Sequence, residues 1–403
     1  MAQEKVYWLL DCRFDFLLPS FMQETGVRKE DIVLVNSYHG KSRTGWNKIC
    51  IPIETKQSVV QMEPDDMNRL FARLLPLDER AAIISFSGAG LPQNENLFFL
   101  TATGKIAETC NDKWWQYNQF AKIQVPTPKT YLYHGFSAVR NQLDNLIEKH
   151  KKLIIKKPSL SGGYQMSVLS SEEDFKRYWA CTQEEDNGQE LLLSEYIPHR
   201  QSFASMGVVR KEGGSVFIPI ITEQVLYRQT AYEGLLFPAF LGEAHKRQIR
   251  QMTEKIGKML GENGYYGFYN VDFLLAEDNQ LYAVEINARW GFGTILAACM
   301  YGKHFWKAVQ GIGTEEIRYP QKCLAIGKIK AKMGRTYAGL ESYSAIMEWF
   351  EREEGSFRTF FCGTDEPERF VYGSYIGIFG EFFAEEEERM KVLGKFWGNC
   401  IGY

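Results

Sequence analysis

Asp272 and Glu285 are the residues of this 403-residue sequence whose types and spacing most invite chemistry. They sit in two strand-like runs, Asn270–Ala276 and Leu281–Asn287, on either side of Asp278-Asn279, residue types suited to a two-residue hairpin turn. Pairing Glu277 with Gln280 sets Leu275 opposite Tyr282, Phe273 opposite Val284 and Val271 opposite Ile286, an apolar face for a core. The other face pairs Leu274 with Ala283, Asp272 with Glu285 and Asn270 with Asn287. Carboxylates opposed across a ladder repel, at a cost of up to about 1 kcal/mol. A hard divalent cation would relieve the repulsion, with Asn287 adding an oxygen two residues along the same side. Mg²⁺ (or Mn²⁺ in its place) takes one or two carboxylates and completes its shell with phosphate oxygens and water. A solvated hairpin with two incidental acids is the plainer reading. Against it stands Arg289, a planar cation, followed by Trp290-Gly291-Phe292-Gly293, where glycines would let backbone approach a ligand.

Two further segments bear on phosphate and base. The stretch from Lys156-Lys157 through Gly162-Gly163 links strand-like runs at Leu153–Ile155 and Met166–Leu169. A lysine at a strand end meets phosphate as a point charge, while Ser and Gly amides in a turn cradle the anion. Its strand-turn-strand setting and lack of Gly-Lys-Ser/Thr distinguish it from a Walker loop, and alone it reads equally as a hairpin with surface lysines. The run Leu191-Leu192-Leu193-Ser194-Glu195-Tyr196-Ile197-Pro198 is an apolar strand broken by proline. Such a break frees backbone groups to read a purine edge.

The elements that must position these residues are partly legible. Residues 1–112 alternate apolar runs (Val6–Leu10, Ile32–Val35, Ala81–Phe86) with a helical pattern at Glu63–Leu75, which predicts a small α/β unit. No Gly-x-Gly-x-x-Gly follows its first strand, which argues against a dinucleotide site. Asn111-Asp112 caps a helix from Lys113, ending before the stiff connector Val125-Pro126-Thr127-Pro128. Residues 113–200 hold helices at Ser137–His150 and Ser171–Cys181, and residues 201–317 hold strands at Ser202–Val209 and Val216–Ile221. A long helix, Glu243–Glu262, presents Ile249, Met252, Ile256, Met259 and Leu260 as a buried stripe. Before it, Thr222-Glu223-Gln224, Arg228, Tyr232 and Gly234 read as a loop that could cover a substrate. Residues 318–403 add strand-like pieces and an acidic helix at Glu385–Phe396.

Composition narrows the class of protein. Lys plus Arg number 47 against 50 Asp plus Glu, so nothing points to the concentrated basic face of a nucleic-acid binder. The eight cysteines include no CxxC pair, as expected of reduced thiols in a cytoplasm. No charged-then-apolar leader and no bilayer-length apolar run is present, which predicts no membrane partner.

Taken in order, Asn111-Asp112-Lys113, the lysine before the glycine-bearing turn, Glu195-Tyr196-Ile197, Asp272, and Glu285-Ile286-Asn287-Ala288-Arg289 resemble the ATP-grasp superfamily over residues 111–297. The resemblance implies an α+β ATP-grasp fold: an N-terminal α/β unit (1–112), a lid (113–200), a core bearing the metal site (201–317) and an added C-terminal α+β region (318–403). It implies that Lys113 and Lys157 contact the phosphates of ATP, with Lys156 as a rival for Lys157, and that Gly162 and Gly163 cover them. The backbone of Glu195 and Ile197, flanked by Ser194 and Tyr196, would bind adenine, and Gln201 stands where a ribose-binding acid is common. Ser194, too, replaces a common acid. Asp272, Glu285 and Asn287 would hold Mg²⁺, with Arg289 and Lys157 catalytic. Substrate recognition would fall to Glu223, Arg228 and Arg289, with Gly291 and Gly293 opening a helix N-terminus that could hold a second anion. The implied activity is activation of a carboxylate as an acyl phosphate and its coupling to an amine. Acyl transfer to a carrier-protein thiol and non-catalytic nucleotide binding are the alternatives.

Overall fold

The computed structural model describes residues 101–302 apart from 160–165, 183–187 and 228–230, together with 5–9, 17–36, 47–50, 81–85, 97–99, 305–306, 322–328, 345, 347–348, 351–352, 357–362, 375–381 and 391. Three sheets organise it. The first is parallel, in the order β3-β2-β1-β4-β5, from β1 (Lys5–Leu9), β2 (Ile32–Asn36), β3 (Asn47–Cys50), β4 (Ala81–Ser85) and β5 (Leu97–Phe99). Parallel neighbours need crossover connections, as an α/β unit provides. The helix expected at Glu63–Leu75 lies outside the described residues.

The second sheet, order β6-β9-β7-β8, is antiparallel: β6 (Thr130–His134), β7 (Leu153–Lys156), β8 (Ser167–Leu169) and β9 (Glu190–Glu195). The helices Gly135–His150 and Glu172–Thr182 share its core through Val139, Leu143, Phe175 and Tyr178. The second helix begins as the sequence predicts: Ser171 Oγ accepts the Asp174 N–H (3.2 Å), and the Asp174 carboxylate accepts the Ser170 N–H (2.8 Å). The triple leucine of β9 reflects burial on both faces, since Leu191 and Leu193 pack with Val139, Leu143 and Phe175 while Leu192 joins the neighbouring core with Tyr117 and Phe120. The sequence pattern did not anticipate β6.

The third sheet is antiparallel and runs β14-β13-β10-β11-β12-β15-β17-β16. Its strands are β10 (His199–Val209), β11 (Ser215–Tyr227), β12 (Ala231–Phe237), β13 (Gly267–Ala276), β14 (Leu281–Asn287), β15 (Lys322–Lys328), β16 (Phe357–Cys362) and β17 (Tyr375–Glu381). Two expectations change here. The supposed cover loop around residues 222–234 is instead mostly the paired strands β11 and β12, with Glu223 opposite Leu236. Cross-strand pairing, invisible to a local pattern, extends both strands. The boundary expected at 317/318 is crossed by the sheet, because β15 pairs with β12. The acidic helix expected at Glu385–Phe396 lies, but for Lys391, outside the described residues.

The helix Glu243–Glu262 packs on this sheet through the predicted stripe, and Ile249, Met252, Ile256, Met259 and Leu260 are all buried. Gly257 lets it settle: a Cβ there would run into Ser215 Oγ and the Tyr269 hydroxyl. Tyr269 OH in turn donates to Thr253 O (3.0 Å). Gly257→Ala is therefore expected to destabilise the protein by about 1–3 kcal/mol through overpacking. Gly261→Ala, whose Cβ would meet only Val209 at 3.2 Å, should cost less. Paired thermal or denaturant melts compare the two.

Candidate active site

The acids meet on the hairpin of β13 and β14. Asn270 lies opposite Asn287, Val271 opposite Ile286, and Asp272 opposite Glu285, as the sequence predicts. Beyond Asp272 the register slips, with Phe273 opposite Ala283, Leu274 opposite Tyr282 and Leu275 opposite Leu281. Val284 is the extra residue of a β-bulge. The turn also differs from expectation: Ala276 N–H donates to Gln280 O (2.9 Å) across a three-residue loop in which Asn279 adopts φ 69°. The longer turn shifts the register by one residue, and the bulge shifts it back. As a result Leu281 and Ala283, not Tyr282 and Val284, complete the buried face with Val271, Phe273, Leu275 and Ile286.

Asp272 is gripped by two amides. Gln224 donates to Oδ1 (2.9 Å) and Asn287 to Oδ2 (3.0 Å), while Ser202 Oγ donates to Gln224 Oε1 (2.6 Å) and orients it. Burial, then the neighbouring Glu285, pushes the Asp272 carboxyl up to about 7, against the pull of Arg289 and the amides. Glu285 goes the other way. Burial would raise its pKa, but Lys113, Lys156 and Arg289 together hold it below the usual carboxylate range. Lys113 Nζ lies 3.3 Å from Glu285 Oε1, with its own side chain only 5% exposed. Burial lowers the Arg289 pKa, and Glu285 and Asp272 oppose that effect.

β14 is the edge strand of its sheet, so its outer backbone groups need partners. Side chains supply most of them. Asn111 exchanges hydrogen bonds with Ala288, accepting its N–H (3.0 Å) and donating to its O (3.2 Å). Gln116 does the same for Ile286 (2.9 and 2.6 Å) and also donates to Cys110 O (2.9 Å). Tyr117 OH donates to Val284 O (3.0 Å), and Pro126 O accepts the Ala283 N–H (2.8 Å). Gln116 and Tyr117 lie on the helix Lys113–Lys122, whose N-cap Asp112 accepts the Trp115 N–H (2.7 Å). Lys113, Gln116, Tyr117 and Phe120, at i, i+3, i+4 and i+7, are all at most 5% exposed. Sequence reasoning passed over Gln116 and Tyr117, and placed Gln224 in a substrate-covering loop rather than against Asp272. The signal for the first two was polar groups at helical spacing from Lys113 on a face with an aromatic anchor, since buried polar groups require partners.

The other predicted residues fall as follows. Lys156 ends β7 and donates from Nζ to Tyr117 OH (2.6 Å). Burial opposes its charge, but Tyr117, Glu285 and Asp272 outweigh it and raise the pKa. Lys157 follows, half-buried. Ser194 Oγ pairs with Thr130 Oγ1 (2.8 Å), and Glu195 accepts the Lys129 N–H (2.9 Å) and lies 3.2 Å from His150. Tyr196 N–H donates to Lys152 O (3.0 Å), Ile197 O is 2.9 Å from His199 Nδ1, and Gln201 donates to Glu223 (3.4 Å). Gly291 caps the helix Phe292–Tyr301, its N–H donating to Thr294 Oγ1 (3.0 Å). At Gly293 the space for a Cβ is taken by Asn270, whose Oδ1 would lie 2.6 Å away, so this glycine accommodates a neighbouring amide. Gly162, Gly163 and Arg228 lie outside the described residues.

Two carboxylates and the Asn287 amide form an all-oxygen donor set of the kind Mg²⁺ accepts. No group of three or more His, Cys, Asp or Glu suited to a metal occurs among the described residues, so the remaining ligands would be phosphate and water. Nor, among those residues, is any helix long and apolar enough to cross a membrane.

Residues 110–292, which span the helix Lys113–Lys122, the second sheet and the β13–β14 hairpin, match the ATP-grasp domain family. The chain is 28% identical over 161 residues to a [butirosin acyl-carrier protein]–L-glutamate ligase of Niallia circulans, covering 40% of this chain and 38% of that protein. It is 26% identical over 266 residues to a formate-dependent phosphoribosylglycinamide formyltransferase of Bacteroides thetaiotaomicron, covering 62% and 61%. The match thus spans less than two thirds of the length of either relative. A biotin carboxylase–β,γ-ATP complex from Campylobacter jejuni superposes with a TM-score of 0.71 at 15% identity, over 96% of this chain and 90% of that one, which shows a shared fold.

A pH dependence follows from Asp272. Folding raises its pKa to about 7, so its contribution to stability is complete below about pH 4 and is lost as pH rises towards 7. Denaturant unfolding of the metal-free protein is expected to show this decline, and Asp272→Asn should flatten it. An unchanged slope in the variant would reject the raised pKa.

Proposed function

We propose that the protein is a ligase that uses ATP to activate a carboxylate as an acyl phosphate and couples it to an amine, releasing ADP and phosphate. The observation that carries this reading is the opposed pair Asp272 and Glu285 within the field of Lys113, Lys156 and Arg289. Phosphoryl transfer is accelerated mainly by positioning and by neutralising charge, which such a cluster supplies. The ATP-grasp domain and the ligase named among the relatives support it.

In this reading Lys113 and Lys156 meet the phosphates, the Lys156 ammonium being held by Tyr117 in the field of Glu285 and Asp272, with Lys157 as its rival. Gly162 and Gly163 cover the phosphates, and the Glu195 carbonyl and Ile197 N–H read adenine beside Ser194 and Tyr196. Gln201 and Glu223 serve the ribose or substrate side, and Arg228 and Gly291 the substrate. Asp272, Glu285 and Asn287 would hold Mg²⁺, which when bound neutralises phosphate charge. A substrate carboxylate oxygen attacks the γ-phosphorus as the bond to the bridging oxygen breaks and ADP leaves. The amine nitrogen then attacks the acyl carbon, phosphate departs with the C–O electron pair, and the nitrogen loses a proton. Arg289 balances charge on the transferred group, and the lid excludes water that would hydrolyse the acyl phosphate.

The Niallia circulans relative, whose name specifies an acyl-carrier protein, favours a second reading in which a carrier-protein thiol accepts the acyl group. ADP release measured across pooled carboxylates with pooled amines, or with an acyl-carrier protein, separates the two by which acceptor is consumed. Tight ATP binding with no ADP from any combination would overturn both. Glu285→Gln is expected to lower turnover at least about tenfold at fixed Mg²⁺; unchanged turnover would remove Glu285 from the site.

A further inference from the structure

Tyr117 is a buried phenol that the proposed mechanism leaves without a role. Its hydroxyl oxygen accepts a hydrogen bond from Lys156 Nζ at 2.6 Å, and its proton goes to Val284 O at 3.0 Å. Lys156 belongs to the lid strand β7, and Val284 is the bulged residue adjoining Glu285 on β14. One side chain of the Lys113–Lys122 helix therefore ties the lid lysine to the strand that carries an acid of the site.

We infer that Tyr117 is a positioning residue, which holds the Lys156 ammonium at a set distance from Asp272 and Glu285 so that it meets the triphosphate. The inference rests on the reading of Lys156 as a phosphate ligand. A free lysine side chain carries rotamer entropy, which would be lost on each encounter with the anion. Fixing the ammonium beforehand removes much of that cost. The phenol suits the task because its only proton is committed to Val284 O, so its oxygen can face Lys156 only as an acceptor. Lysine has three donors, and the phenol takes one, which leaves two for phosphate oxygens. Lys113 is held differently, by its ion pair with Glu285. Two lysines are thus anchored from one helix face, one through an acid and one through a neutral hydroxyl.

The test is a double-mutant cycle on nucleotide binding. Dissociation constants for Mg·ATP and for adenosine are measured by calorimetry in the parent, Tyr117→Phe, Lys156→Gln and the double variant. Tyr117→Phe is expected to weaken Mg·ATP about tenfold and adenosine less than about twofold, and to add nothing once Lys156 is Gln. If Lys156→Gln leaves Mg·ATP binding unchanged, the assignment of Lys156 to the phosphates fails. If Lys156→Gln weakens it but Tyr117→Phe does not, or the two effects simply add, the positioning role fails alone. Equal loss of adenosine and Mg·ATP would make Tyr117 a structural residue and also overturn the inference. Should Tyr117→Phe not fold, Tyr117→p-aminophenylalanine keeps a donor for Val284 O but offers Lys156 a poor acceptor. The same selective loss is expected from it, and its absence has the same consequence.

Discussion

Two carboxylates forced together across a pair of strands are the constraint around which this domain is arranged. Asp272 and Glu285 face one another on β13 and β14, half-buried, where water screens their repulsion poorly. The surroundings treat them unequally. Glu285 lies against Lys113, within the field of Lys156 and Arg289, and is kept ionised. Asp272 is hydrogen-bonded by the neutral amides of Gln224 and Asn287, and burial and Glu285 outweigh the pull of Arg289 and those amides, so it drifts towards neutrality. Amides orient a carboxylate without cancelling its charge, and the positive charge felt by Asp272 comes from Arg289.

The second requirement is that β14 stay still although it ends its sheet. A bare edge would leave unpaired backbone groups beside charged side chains. Asn111, Gln116 and Tyr117 act as a substitute strand, satisfying Ala288, Ile286 and Val284 in turn. Because the same helix face carries Lys113 and receives Lys156, the second sheet, this helix and β14 meet along one line. Leu192 of β9 reinforces the junction by packing with Tyr117 and Phe120.

Much of this was legible from sequence, though not always for the right reason. The acids pair as the hairpin pattern predicts, yet they do so because a three-residue turn and a bulge at Val284 cancel. Alternation could not show this, since Tyr282 and Val284 are as apolar as Leu281 and Ala283. The buried stripe of Glu243–Glu262 was plain because helical periodicity is local. β6, β12 and the extension of β11 beyond the predicted Val216–Ile221 were missed, because pairing with distant partners completes these strands. At Gly293 the missing Cβ makes room for Asn270, a reason for glycine that only the packing shows.

By itself the sequence determined which groups could do chemistry: the two acids, Lys113, the lysine pair at 156–157, and Arg289. Their type is a property of each residue, and their rough placement on strands and helices follows from periods of two and 3.6. Only the tertiary structure set Lys156 against Tyr117, shifted the pKa values of the two acids in opposite directions, and brought Asn111 and Gln116 to the backbone of β14. Those outcomes depend on contacts such as Gln116 with Ile286, separated by 170 residues, and on burial that exists only once the sheets have packed. Local pattern carries no information about either.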